Sequence, residues 1–93
     1  MEFEWDPAKN DENLRKHGID FFEAQRAFLD PNRVITLDVA HSSDSEKRYY
    51  CFGLIDSHVS TVRFTVRNDK IRIFGAGYWR QGKKVYEKEN KIH

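Results

Sequence analysis

The chain has 93 residues, 39% of them hydrophobic, 14% aromatic and 33% charged, with a net charge of +1. That length fits one domain, 1–93, with one modest core, and the aromatic content argues against a disordered chain. A lone cysteine, Cys51, excludes an intrachain disulfide. No apolar run approaches a membrane span, and the acidic opening MEFEWDPAKN lacks a signal-peptide core, so a cytoplasmic protein is expected.

Glu2 to Trp5 alternates polar and apolar residues, as a short strand does. Asp6-Pro7 then reads as a helix start, because Asp6 can cap free N–H groups and Pro7 suits the first helical position. The run from Ala8 to His17 is mostly polar and predicts a surface helix ended by Gly18. A second helix is expected from Asp20, with Phe21, Ala24 and Phe28 on its core stripe and Asp30-Pro31 as its stop. Strands follow over Arg33–Val39, Arg48–Ile55, Val59–Arg67 and Lys70–Phe74. The short turns at Asp56-Ser57-His58 and Asn68-Asp69 predict antiparallel neighbours. Gly75-Ala76-Gly77 is expected to end the sheet, before a short basic helix from Tyr78 to Glu89 and a fraying tail. The fold class is α+β: two N-terminal helices packed on a four- to five-stranded antiparallel sheet, with a short C-terminal helix.

Strand residues alternate between faces. Val62, Phe64, Val66, Ile71 and Ile73 should face the helices, which leaves Arg63, Thr65, Arg67, Arg72 and Phe74 on the other side. Arginine binds phosphate with a planar fork of donors that stays charged. Phe74, Tyr78 and Trp79 offer flat surfaces for unpaired bases, and Arg80, Lys83 and Lys84 extend the positive edge. This mixture points to single-stranded nucleic acid rather than duplex. Residues before 62 read as scaffold. Charge is graded along the chain: residues 1–62 hold seven basic and twelve acidic residues, and residues 63–93 hold nine and three. A polarised surface is expected from that gradient, the alternative being that the charges mix on folding. No metal motif, phosphate-cradling glycine loop or nucleophile elbow is present, so neither metal nor cofactor is expected.

The opening FEWDPAKNDENLRKHGIDFFEA resembles the start of BrnT-family toxins, through Phe3, Trp5, Asp6, Lys9, Asn13, Lys16, His17, Gly18, Phe21, Glu23 and Ala24. Arg48, Gly53, Thr65, Arg67, Ile71-Arg72-Ile73 and Tyr86 continue the likeness more loosely. The resemblance implies a RelE-like fold and a ribonuclease toxin of a type II toxin–antitoxin system. It also implies growth arrest and neutralisation by a BrnA-like ribbon-helix-helix antitoxin, which alone would contact operator DNA. Many such proteins carry a Ser-Ala-Arg run and an Arg-Glu-rich helix where this chain has Gly75-Ala76-Gly77 and Gln81-Gly82-Lys83-Lys84. The difference reads as a subfamily mark, since Arg80 and two lysines keep charge nearby.

Metal-free RNA cleavage needs a base, an acid and cations for the phosphate. The candidate catalytic residues are Arg67, Arg80, Lys83 and Tyr86. The candidate RNA-binding residues are Arg63, Arg72, Phe74, Tyr78, Trp79 and Lys84. His17 is a candidate for proton transfer, because an imidazole can exchange protons near neutral pH. The alternative from another class is a non-catalytic partner or corepressor that binds the antitoxin and its operator complex without cleaving RNA.

Overall fold

A computed structural model describes residues 1–91. Its strands are β1 (Glu2–Glu4), β2 (Val34–Leu37), β3 (Arg48–Ile55), β4 (His58–Arg67) and β5 (Lys70–Gly77). Its helices are α1 (Pro7–His17), α2 (Phe21–Ala24) and α3 (Arg80–Glu89), with 3-10 turns at Gln25–Leu29 and Val39–His41. Residues 92 and 93, where fraying was expected, lie outside the described residues.

The sheet order is β1-β5-β4-β3-β2. Strands β2, β3, β4 and β5 pair antiparallel in sequence order, β3 to β5 through short turns and β2 to β3 through residues 38–47. Asp56, Asn68 and Asp69 take positive φ at those turns, a conformation that short polar side chains tolerate. The outer strand β1 runs parallel to β5, so the sheet is mixed and not wholly antiparallel. The expected second helix is also corrected: after Ala24 the chain tightens into a 3-10 turn. Gly53 explains the close fit there, since an added Cβ would lie 3.0 Å from the Ala27 carbonyl carbon.

The start of α1 follows its sequence. Asp6 accepts the Ala8 N–H at 2.9 Å, and Gly18, at φ 70°, donates to the Leu14 carbonyl. Asp20 caps α2 by accepting the Glu23 N–H at 2.7 Å. The core lies between α2 with its 3-10 extension and the sheet face bearing Cys51, Val62, Phe64, Ile71 and Ile73. Phe28 packs edge-on against both Phe3 and Phe64, at ring separations of 5.2 and 5.1 Å.

Helix α3 covers part of the opposite face. Gly82 permits this, because a Cβ there would strike Thr61 and would lie 2.9 Å from Phe52 Cδ1. Helix α1 sits beside β5, beyond the end of β1. There the Asn13 amide imitates a neighbouring strand: its Oδ1 accepts the Ala76 N–H at 3.2 Å and its Nδ2 donates to the Ala76 carbonyl at 3.0 Å. Asn13 also donates to the Ile19 carbonyl at 2.8 Å, which ties the helix, the following turn and the strand together.

Candidate nucleic-acid interface

The arginine face forms as the alternation requires. Thr65 pairs with Arg72 and Arg67 with Lys70 across β4 and β5, and Arg48 pairs with Thr65 across β3 and β4. A register shift between Arg63 and Phe64 leaves Phe74 without a partner in the ladder and places Gly75 opposite Arg63. Phe74 then lies under two guanidinium groups, with Arg48 4.7 Å and Arg63 5.1 Å from its ring centre. Cation–π attraction holds both charges close to one ring.

Three of these arginines are already matched by carboxylates. Arg72 donates to Glu4 at 2.9 Å. Arg48 and Arg67 converge on Glu46, at 2.9 and 3.0 Å, and these bonds, Arg48 first, hold the Glu46 carboxyl below its usual range. Acids from the first part of the chain thus meet bases from the last, and the expected polarity of charge is partly cancelled. Arg63 differs. It makes no salt bridge among the described residues, and its buried Nε has no hydrogen-bond acceptor there.

Arg63 opens into a groove of about 270 Å³ between α1 and the end of β5. Lys9, Glu12, Asn13, Lys16 and His17 line its α1 side, with Glu12 paired to Lys16 at 2.8 Å, while Phe74, Gly75 and Trp79 line the sheet side. The α1 residues fall on one helical stripe, at intervals of three and one. His17 stands edge-on to Trp79, with ring centres 5.2 Å apart. It also lies in the last turn of α1, where the helix dipole favours positive charge. The two glycines clear the floor. A Cβ on Gly75 would meet Arg63 Cδ at 3.4 Å, and one on Gly77 would lie 2.7 Å from Trp79 Cη2. Gly75-Ala76-Gly77 therefore belongs to β5 and carries the site, instead of ending the sheet before it.

A second groove, of about 410 Å³, lies across Trp79 and holds Tyr78, Arg80 and Lys83. The sequence-derived candidates are thus divided. Arg63, Phe74, Trp79 and His17 meet in the first groove, and Tyr78, Arg80 and Lys83 meet in the second. Lys84 is exposed on α3 and lines neither. Arg67 and Arg72 are bound in ion pairs away from both. Tyr86 also lines the second groove. It is 2% exposed, and its hydroxyl donates to Asp30 Oδ2 at 2.6 Å. Burial and then the Asp30 hydrogen bond push its pKa up to about 12, so it holds its proton and braces α3. Lys9 and Lys16 were missing from the candidates, because α1 reads as a solvated surface helix. Their shared stripe with His17 was the available signal.

A family model described as "Ribonuclease toxin, BrnT, of type II toxin-antitoxin system" matches residues 5–82. The chain belongs to the BrnT family. Comparison with curated proteins gives no match. The matched region of this BrnT protein takes in all of α1, the strands β2 to β5, Trp79 and Arg80, and stops inside α3. The first groove therefore lies wholly within it, whereas Lys83, Lys84 and Tyr86 lie beyond it. As a member of a toxin–antitoxin family, the protein has an antitoxin as its implied partner. A larger groove, about 590 Å³, is on the opposite face among Phe3, Phe28, Ile35 and Val66. It is mostly apolar, with Arg33 and Tyr49 as its polar-tipped residues. Among the described residues no helix is long and apolar enough to cross a membrane.

Proposed function

We propose that this BrnT protein is an endoribonuclease that cuts single-stranded RNA in the groove between α1 and β5. The observation that carries the reading is Arg63, a guanidinium fixed over Phe74 that makes no salt bridge among the described residues, in a groove it shares with Lys9, His17 and the Lys16–Glu12 pair. Such a group recruits a phosphate oxygen because its fork is free to donate. The substrate's own 2′-oxygen attacks the phosphorus, and the bond to the 5′-oxygen breaks. The products are a 2′,3′-cyclic phosphate and a free 5′-hydroxyl. His17 handles the proton leaving the 2′-hydroxyl or the one reaching the 5′-oxygen. Arg63, Lys9 and Lys16 offset the charge that gathers on the phosphoryl oxygens. Lys9, Lys16 and Arg63 outnumber the single carboxylate of the groove, Glu12, which Lys16 already pairs, and this excess of positive charge supports a metal-independent route.

RNA is thus the substrate, and cutting messages would block translation and arrest growth. A BrnA-like ribbon-helix-helix antitoxin would neutralise the toxin by covering this cationic face with an acidic segment, and it alone would touch operator DNA. The test is cleavage of a single-stranded RNA by purified protein in excess chelator. Arg63→Ala and His17→Ala should each lower the rate about 100-fold or more while unfolding at the wild-type temperature. Wild-type protein that is inert towards RNA yet binds its antitoxin would favour the non-catalytic partner instead.

A further inference from the structure

The second groove has a different chemistry from the first. Its walls are apolar and aromatic, formed by Leu54, Val59, Tyr78 and Trp79. Its polar groups are Ser57 from the turn between β3 and β4, His58 at the start of β4, and Arg80, Lys83 and Glu87, which follow at helical spacing on one face of α3. Lys83 and Glu87 are one turn apart, a spacing that often yields an ion pair. None joins them, and Glu87 makes no salt bridge among the described residues. A half-buried carboxylate without a partner, set between aromatic walls and beside two cations, is a recognition element for a flat ligand with adjacent N–H donors.

Among the RNA bases, guanine alone offers that pattern. Its N1–H and N2 amine lie side by side and can meet both oxygens of one carboxylate, and its O6 accepts from a neighbouring lysine or arginine. Adenine and cytosine place an acceptor next to the amine, and uracil flanks its single N–H with two carbonyls. Trp79 lines both grooves, so a base in the second lies one indole away from a phosphate in the first. We propose that the second groove is a nucleobase subsite that selects guanine next to the cleaved phosphate, with Glu87 as the specificity-determining residue. The inference rests on the ribonuclease reading for its place in the reaction, though not for the binding itself.

Two measurements separate these. The first is titration of wild-type protein with the 5′-monophosphates GMP, AMP, CMP and UMP, followed by NMR. GMP should bind about tenfold more tightly than the others, and Glu87→Gln should erase the margin, because its amide presents a donor to guanine's donors. Leu54→Trp, which fills the groove from the hairpin side, should weaken GMP binding as well. The second is mapping of cut sites on a mixed-sequence RNA. Cuts should adjoin guanine, inosine at that position should raise KM with little change in kcat, and folded Glu87→Gln should cut with its preference lost. If GMP is preferred but no RNA is cut, the subsite stands and the ribonuclease reading falls. Equal binding of all four nucleotides, or a guanine preference unchanged in folded Glu87→Gln, overturns the subsite.

Discussion

Replacing Tyr86 with phenylalanine separates a brace from a catalyst. The ring remains, so no cavity opens, and the single loss is the 2.6 Å hydrogen bond to Asp30 Oδ2. A hydrogen bond to a charged acceptor contributes about 1.5–3 kcal/mol. Asp30 is not orphaned, since its Oδ2 keeps the Leu54 N–H and its Oδ1 the Asn32 N–H, both at 2.8 Å. The cost should therefore stay within that range. In a domain of this size it lowers Tm by roughly 6–24 °C. Thermal unfolding by circular dichroism measures the loss, and RNA cleavage well below the transition measures the chemistry. Tm should fall while the rate per folded molecule holds. A folded variant with wild-type Tm and cleavage lost about 100-fold would refute the reasoning and return Tyr86 to the reaction.

The same pair sets two limits in pH. The Tyr86 pKa is raised to about 12, so its contribution is full below the ordinary phenol value and is lost as pH climbs from about 10 to 12. That loss is on the order of 3 kcal/mol and should vanish in Tyr86→Phe. For Asp30, burial pushes the pKa up, but the Tyr86 hydroxyl, the Leu54 and Asn32 N–H groups and Arg33 together bring it below the usual value. Its contribution is present above the ordinary carboxyl range and disappears as pH falls through the lowered value. The deficit of Tyr86→Phe should accordingly narrow in acid.

Gly82→Ala should destabilise the protein by about 1–3 kcal/mol in thermal unfolding, despite alanine's better helix propensity, because the new methyl strikes Thr61 and Phe52. Gly77→Ala should push the Trp79 indole off β5, shifting its fluorescence and lowering RNA cleavage, with wild-type emission counting against the packing described. Asn13→Asp should cost at least about 2 kcal/mol by denaturant titration, since a carboxylate would face the carbonyls of Ile19 and Ala76 where the amide donated. Arg67→Ala and Arg72→Ala should weaken cleavage far less than Arg63→Ala, a ranking that kcat/KM on one RNA can reverse.

Much of the fold is local chemistry, and that part can be read from the chain. Asp6, Pro7 and Gly18 bound a helix by rules that need no tertiary context. The alternation of Val62, Phe64 and Val66 against Arg63, Thr65 and Arg67 fixes which face is buried. The misses are non-local. Three residues of β1 do not encode which strand they join, and their parallel pairing to β5 spans most of the chain's length. The glycines of Gly75-Ala76-Gly77 have low strand propensity, yet Trp79 needs the bare surface of Gly77. Lys9 and Lys16 looked like solubilising charges because the sequence does not show that α1 flanks the sheet beside β5.

The arrangement of acids explains why one arginine stands apart. Neighbouring strands that carry like charges repel, and a sheet face with Arg48, Arg63, Arg67 and Arg72 would be strained without compensation. Glu4 is brought to Arg72 by the parallel strand β1, and Glu46 reaches Arg48 and Arg67 from the loop before β3. These pairs are partly exposed and add little stability individually. Their effect is to fix where positive potential remains. With Arg48, Arg67 and Arg72 matched, the uncompensated guanidinium of this face is Arg63, and α1 brings Lys9, His17 and the Lys16–Glu12 pair to that spot. The parallel strand missed by local reasoning is therefore part of the electrostatics of the site: β1 neutralises one end of the sheet, and the helix that follows it charges the other.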